Sequence, residues 1–385
     1  MQGLDLGLNE TTRMLVETTG RFAREEIAPN VVAHDREDRF HAYAWPKFGE
    51  AGLLGVIADE ADGGFGFGYV EHCAVLSELA RTSAAVAMCY GVHSSLMIDQ
   101  FRRNATPDQK ARYYPGLLSG ALIGAIAMTE AEAGSDIVSM RTAATLKGDH
   151  YLLNGSKMWI TNGSNTNLAL VYAKTDPSAG KRGITAFLVD GSCEGFSVGR
   201  KLDLWGMRAS GSAELIFDNC RVPVENVLGK VNGGVRVLMG GLDFERVIAS
   251  SQCLGIMQAA VDLVAPYLHE RRQFGQPIGE FQLMQGKIAD MYATLSACQS
   301  YVFMAAAAAD RGTITRKDAA SVYLFVAERT TQVALQAMQA LGANGYSNET
   351  SAQRLVRDAK LYEIGGGTTE IRRMLIGREI FAETA

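Results

Sequence analysis

From about Leu8 to Gly120, apolar residues recur at three- and four-residue steps, the spacing that gathers side chains on one face of a helix. Thr11-Thr12 is placed to cap a first helix running toward Ile27, with Pro29 soon after. The glycine-rich stretch Gly63-Gly-Phe-Gly-Phe-Gly68 breaks the pattern before a helical period resumes over Val70 to Ala80. It does not complete G-x-G-x-x-G and no strand clearly precedes it, so it reads as a loop. From about Ala121 to Asn226 the signal changes to short β-prone runs: Tyr151-Leu-Leu, Leu168 to Tyr172, Ile184 to Leu188 and Glu214 to Phe217. The turn pairs Gly148-Asp149, Asn154-Gly155, Asn162-Gly163 and Asp190-Gly191 punctuate them, which predicts a small antiparallel β domain. Long segments rich in Ala, Leu, Met and Gln then run from about Gly234 to Ile380, broken at Gly275, Gly312 and Gly365-Gly366-Gly367, and predict a helical bundle. The fold class is therefore α+β in the order α, β, α, with domains expected at 1–120, 121–230 and 231–385.

Composition narrows the functions. The 385 residues are 47% hydrophobic and 21% charged with a formal net charge of −5, and no basic stripe is present, so nucleic acid is not an expected partner. The six cysteines (73, 89, 193, 220, 253, 298) form no C-x-x-C pair and read as reduced, buried thiols of an intracellular protein. Met1-Gln-Gly-Leu-Asp5 begins neither a basic nor an apolar leader, so no signal peptide is expected, and no uninterrupted apolar run is long enough to span a bilayer. The histidines are dispersed and no H-E-x-x-H, G-x-S-x-G or G-x-x-x-x-G-K-[ST] occurs, so no metal is expected and hydrolase, kinase and nicotinamide chemistry lack support.

Less generic segments remain. Ala127-Met-Thr-Glu-Ala-Glu-Ala-Gly-Ser-Asp136 opens the β zone with small residues and backbone donors, and Trp159-Ile-Thr-Asn162 puts an aromatic beside a hydroxyl. Leu341-Gly-Ala-Asn-Gly-Tyr346 and Gly365-Gly-Gly-Thr-Thr-Glu370 are tight glycine turns, the second leading into a helix whose N-terminus suits a pyrophosphate. Together with Gln282-Leu-Met-Gln-Gly-Lys-Ile-Ala-Asp290 and Glu370-Ile-Arg-Arg373, these segments resemble the acyl-CoA dehydrogenase family over nearly the whole chain. The resemblance implies an N-terminal helical domain, a middle β domain and a C-terminal four-helix bundle, with FAD held between the last two.

By that resemblance, Ile126, Ala127, Met128, Thr129, Gly134 and Ser135 border the flavin, Trp159 and Ile160 cover it, and the Thr161 hydroxyl reaches its N5 region. Arg271, Gln282, Gln339, Gly342, Ala343 and Gly345 resemble residues that reach the FAD of a neighbouring subunit, while Thr368 and Glu370 hold the pyrophosphate and adenosine side. A homotetramer built as a dimer of dimers is implied. Ser135, Lys181, Arg182 and Arg246 match positions that contact CoA, with Arg236 and Asp243 as further contacts on the same helix; charge-assisted hydrogen bonds suit its phosphates.

The reaction so implied removes an α-proton from a thioester while a hydride leaves the β-carbon, and it needs a carboxylate base. Most members carry it in Tyr-Glu-Gly-Thr before the last helix, but here Tyr362-Glu-Ile-Gly-Gly-Gly-Thr368 puts Gly366 at that position. Isovaleryl-type members supply the base from Leu-Asp-x-Glu-Arg, present as Leu242-Asp-Phe-Glu-Arg246, which makes Glu245 the expected base. Glu245, Ile248, Ala249 and Gln252 share a helix face, so the carboxylate should be partly desolvated with a raised pKa. Gly366 would leave room for it and offer its N–H to the thioester carbonyl.

Met88, Tyr90, Gly91, Val92 and the Glu245 helix are expected to line the acyl pocket. Met88 and Val92 narrow it relative to the isovaleryl-type pattern, whereas Ala249 opens it. A short or medium branched acyl-CoA is the expected substrate, with a longer citronellyl-type chain as the alternative and an electron-transfer flavoprotein as acceptor. An acyl-CoA oxidase and a non-catalytic FAD or acyl-CoA binding protein are the rival classes. The location expected is bacterial cytoplasm, or mitochondrial matrix in a eukaryote.

Overall fold

The computed structural model describes residues 6–385, and the leader reading at Met1–Asp5 lies outside them. Seven α-helices come first: α1 Glu10–Phe22, α2 Val31–Glu37, α3 Ala44–Glu50, α4 Tyr69–Thr82, α5 Ala84–Gly91, α6 Ile98–Asn104 and α7 Pro107–Ser119. The cap of α1 is Asn9 rather than Thr11-Thr12: its side chain accepts from Thr12 N at 2.7 Å, and the buried Thr12 hydroxyl bonds onward to Glu71 of α4 at 2.8 Å. A single turn of π-helix, Ala23–Ile27, extends α1 to the predicted end. A Thr106/Gln109 capping box with Pro107 in the first turn starts α7. The glycine stretch 63–68 is a loop between Asp62 and α4.

Eight strands form one sheet: β1 Gly124–Ala127, β2 Ala143–Lys147, β3 His150–Ile160, β4 Leu168–Lys174, β5 Ile184–Asp190, β6 Phe196–Lys201, β7 Ala213–Pro223 and β8 Val227–Leu228. The order is β6-β7-β3-β2-β4-β5-β8, with β1 beside β4. Pairing is antiparallel except at β1/β4 and β2/β4, where the chain leaves the strand and returns on the same heading. Asn154-Gly155, expected as a turn, lies inside β3. Gly155 has φ +142° there and the register with β7 slips between Leu153 and Gly155, so the pair makes a β-bulge.

The C-terminal domain contains α8 Gly234–Glu270, a hairpin of β9 Arg272–Gln273 and β10 Gln276–Pro277, α9 Gln282–Asp310, α10 Arg316–Leu341, α11 Ala352–Leu361 and α12 Thr369–Glu383. By length and hydropathy α8 could cross a bilayer, but most of its apolar stretch is buried, against α4, α9 and α10. A helix packed on several sides has no need of a polar face.

The first and last domains are joined by a cap supplied in trans. Asp310, at the C-terminal end of α9, accepts from Tyr69 N at 2.5 Å and Val70 N at 3.2 Å, satisfying orphan donors at the start of α4. A Cβ on Gly68 would come within 2.5 Å of that carboxylate, so a side chain there would push it off the helix start. Replacing Asp310 by Ala should lower stability by about 1–2 kcal/mol, the usual loss for a helix cap. Thermal denaturation of the holoenzyme checks this, and an unchanged midpoint would contradict it.

Candidate active site

Two walls from different domains face one another across a cavity of about 650 Å³. The β-domain wall begins at β1. Its alternation turns Ala125 and Ala127 into the sheet's own core, while Ile126 lines the cavity on the opposite face. Ala127 is therefore not brought to the site, whereas Met128, Thr129, Gly134 and Ser135 are.

Beneath this loop lies a buried ion pair. Lys157 of β3 is fully buried, and its Nζ donates to Glu130 Oε1 at 2.8 Å and to the Met128 carbonyl at 3.1 Å. Glu130 also accepts from the backbone N–H groups of Arg141 (2.6 Å) and Thr142 (3.0 Å) and from the Thr142 hydroxyl (2.6 Å). Burial pushes Lys157 down to about 8 against the pull of Glu130. Burial also opposes the Glu130 charge, but Lys157 and the Arg141 N–H outweigh it and hold that carboxyl below its ordinary value. Met158 N donates to the Thr129 carbonyl at 2.8 Å, so β3 and the 128–130 segment form one rigid piece.

Two residues beyond Lys157 the strand bulges, its register with β7 slipping between Lys157 and Ile160. Trp159 sits there at φ +66° with 58% of its surface exposed, facing the cavity beside Ile160 and Thr161. Such a conformation is uncommon for a bulky residue and re-aims the side chain. Asn162, also left-handed at φ +65°, is fully buried and donates to the carbonyls of Cys89 and Gly124, both at 3.0 Å. It ties the end of β3 to α5 and β1.

The helical wall is built by α5 and its continuation, α8 and the loop before α12. Met88, Gly91, Val92 and Ser95 line the cavity at helical steps. Tyr90 does not join them, because its position is on the other side of the helix. It is fully buried, and its hydroxyl donates to the Leu53 carbonyl at 2.5 Å. From α8 come Glu245, Ile248, Ala249 and Gln252. Glu245 Oε2 is sealed from solvent and has no hydrogen-bond partner. Burial raises its pKa to about 7, opposed by the charges of Arg246 and Arg372. Gly366 adjoins it at φ +66°. A Cβ there would lie 3.7 Å from Glu245 Oε1 and 3.0 Å from the Tyr323 ring, so a side chain would be strained and crowd both. Gly367 is likewise left-handed, at φ +88°, and Thr368 caps α12, accepting from Ile371 N at 3.3 Å.

Arg372 lies in the Glu370-Ile-Arg-Arg373 motif, where the sequence assigns it no role. It is 1% exposed, donates from one nitrogen to the carbonyls of Tyr362 (2.8 Å) and Gly365 (2.6 Å), and stacks 3.5 Å from the Tyr323 ring centre. It thereby holds the glycine loop in place. Tyr323 of α10, Leu361 of α11 and Ile364 in the turn that follows also line the cavity unforeseen; as apolar residues in or beside helices they carried no signal separating them from core.

Other expected residues lie outside the cavity. Arg246 is 6% exposed and pairs with Asp243 at 2.7 Å. Lys181 and Arg182 occupy the exposed turn Pro177–Gly183, and Arg236 and Glu370 are exposed. Arg271, Gln282, Gln339, Gly342 and Ala343 meet at a second, open cavity of about 920 Å³ at the ends of α8, α9 and α10. Gly345 is not on that lining; it packs on the Met338 carbonyl, 2.1 Å from where a Cβ would stand. Among the described residues no His, Cys, Asp and Glu group has the composition of a metal site.

Comparison with known proteins shows the family. Family models for the acyl-CoA dehydrogenase N-terminal, middle and C-terminal domains match residues 9–121, 125–220 and 232–381. The mitochondrial isovaleryl-CoA dehydrogenase of Solanum tuberosum is 51% identical over 97% of this chain and 92% of its own length. A mitochondrial 2-methylacyl-CoA dehydrogenase from the same plant is 52% identical over 97% and 91%. Among solved structures, butyryl-CoA dehydrogenase from Megasphaera elsdenii superposes with a TM-score of 0.95 at 32% identity, over 98% of this chain and all of its own. Matched in all three domains and along nearly its full length, the chain belongs to the acyl-CoA dehydrogenase family of FAD-dependent oxidoreductases.

Proposed function

We propose that this enzyme introduces a Cα–Cβ double bond into a short or medium branched acyl-CoA, with Glu245 removing the α-proton. The observation that carries this reading is the lone Glu245 carboxylate, with one oxygen unpaired, its pKa raised to about 7, and Gly366 beside it. A base works best when its pKa lies near working pH, and burial without a partner produces that shift. Gly366 presents bare backbone next to the base, so its N–H serves as donor to the thioester carbonyl and favours enolate-like charge.

The cavity fits a flavin in size and lining. Trp159 is an exposed aromatic held over the space by a bulge, with the Thr129 and Thr161 hydroxyls on the same wall and the capped start of α12 at its edge. Ile126, Met128, Thr129, Gly134, Ser135, Trp159, Ile160, Thr161 and Thr368 would hold FAD. When bound, it supplies the acceptor for the hydride leaving the β-carbon. Ser135 and the exposed Lys181, Arg182 and Arg236 are the CoA contacts in this reading, while Arg246 pairs with Asp243 one turn away on the same helix.

The second cavity supports an assembly in which the FAD of one subunit is completed by Arg271, Gln282 and Gln339 of a neighbour, as in a dimer-of-dimers tetramer. Phe274 and Leu283 on its lining are 94% and 88% exposed in the lone chain, which is unusual for large apolar groups on one face. An electron-transfer flavoprotein is the proposed acceptor. The location that goes with this function is the mitochondrial matrix in a eukaryote, or bacterial cytoplasm. Ala249 lines the cavity one turn beyond the base, which favours a longer branched chain as the second reading.

Anaerobic flavin bleaching tests the chemistry. Isovaleryl-CoA should bleach the wild type rapidly, and Glu245→Gln should be slower by about 10²-fold or more, as for loss of a general base; equal rates would exclude Glu245. Because the base must be deprotonated, kcat/KM of the wild type should rise with pH through about 7 and level off above it. A flat profile from pH 5 to 9 would contradict this assignment. Gly366→Ala should cost on the order of tenfold in rate, because strain at φ +66° and the crowded Tyr323 ring displace the loop from the base. Full activity in that variant would show that the bare backbone is not needed.

A further inference from the structure

Beyond the base, the cavity contains a polar group for which the reaction above has no use. Gln252 follows Glu245 by two turns of α8, roughly 10 Å along the helix axis, and lines the same cavity. It is 3% exposed. The hydroxyl of Tyr362, itself fully buried, donates to its Oε1 at 2.6 Å and holds the amide from one end. At the other end Nε2 lies against Gly91, where a Cβ would approach to 2.7 Å. No hydrogen-bond partner for Nε2 exists among the described residues, and the nitrogen opens on the cavity. The Ser95 hydroxyl, on the same helical wall as Gly91, already donates to the Gly91 carbonyl. Met88, Val92, Ile248 and Ala249 surround this end with small or apolar surface.

A hydrocarbon chain reaching this depth would expel water from Gln252 and leave a buried donor unmade, a loss of about tenfold to a hundredfold in affinity. An acyl group with an oxygen at that depth would instead complete the amide. No Lys or Arg lines the cavity among the described residues, so a carboxylate would go unpaired there and a neutral oxygen is the better fit. We propose that the distal acyl site selects chains carrying a neutral hydrogen-bond acceptor, a ketone or an alcohol, beyond the reacting carbons, with Gln252 as the specificity-determining residue. This rests on the dehydrogenase reading and narrows its substrate class. From the helical rise, the oxygen belongs on a chain on the order of seven carbons long.

The test compares heptanoyl-CoA, its 6-oxo and 6-hydroxy derivatives and isovaleryl-CoA as substrates of the holoenzyme in the anaerobic bleaching assay. At least one oxygenated heptanoyl thioester should exceed heptanoyl-CoA in kcat/KM by about tenfold or more. The gain should fall in KM, because the oxygen is remote from the bonds that change. Gln252→Met, similar in volume and apolar, should reverse the order by weakening the oxygenated substrate and strengthening heptanoyl-CoA. Tyr362→Phe, which releases the amide, should shrink the ratio in wild-type direction. Heptanoyl-CoA matching or beating both oxygenated forms in the wild type would overturn the proposal even if neither variant folds. An unchanged ratio in a folded Gln252→Met would do so as well. No bleaching by any of the four thioesters would instead sink the dehydrogenase reading, and this one with it.

Discussion

A carboxylate oxygen without a partner, sealed from solvent at the edge of the cavity, is the constraint around which this site is arranged. Burying a charge is costly unless something compensates it, and the usual compensation is a salt bridge. Here two buried cations lie close enough to Glu245 to temper its pKa, and neither bonds to it. Arg246 is turned to Asp243, and Arg372 donates to two carbonyls of the glycine loop while stacking on Tyr323. An ion pair with either would depress the pKa. Their other attachments preserve the basicity of Glu245, and one of them also sets the backbone on which Gly366 depends.

The opposite wall solves a different problem, that of holding open structure rigid. Trp159 is largely exposed and left-handed, and the 128–135 loop has little regular structure to support it. The Lys157–Glu130 pair beneath supplies that support by bonding to the Met128 carbonyl and to two backbone N–H groups. A buried pair of this sort adds little net stability, but losing one partner leaves an uncompensated charge, so it locks the geometry it joins. Because the two walls belong to separate domains, the cavity also depends on ties between domains. Asn162 links the end of β3 to α5, and Asp358 of α11 accepts from Met207 N at 2.7 Å. Asp35 of α2 pairs with Arg357 of α11 at 2.7 Å, and Asp310 caps α4.

Sequence alone determined the order of helical and strand zones, because side-chain periodicity is a local property of each element. It also pointed to Glu245 as the candidate base, because Gly366 stands where most members of the family carry a glutamate and Leu242-Asp-Phe-Glu-Arg246 offers another, and a motif pair can be read without coordinates. Where local signals competed, the fold decided. Asn154-Gly155 has turn chemistry, yet pairing with β7 on both sides turns it into a bulge. Asn9 displaced Thr12 as the cap because Thr12 is drawn inward to Glu71. Tyr90 sits between two cavity residues in sequence but faces the core, since neighbours on a helix point about 100° apart.

Only the tertiary structure could show which polar groups lack partners. Whether Glu245 is paired with Arg246, whether Arg372 is buried, and whether the Gln252 amide is satisfied all depend on groups far apart in the chain. Sequence names the residues that can donate, accept or titrate. Desolvation and partner choice set the chemistry they carry out, and those are properties of the three-dimensional neighbourhood.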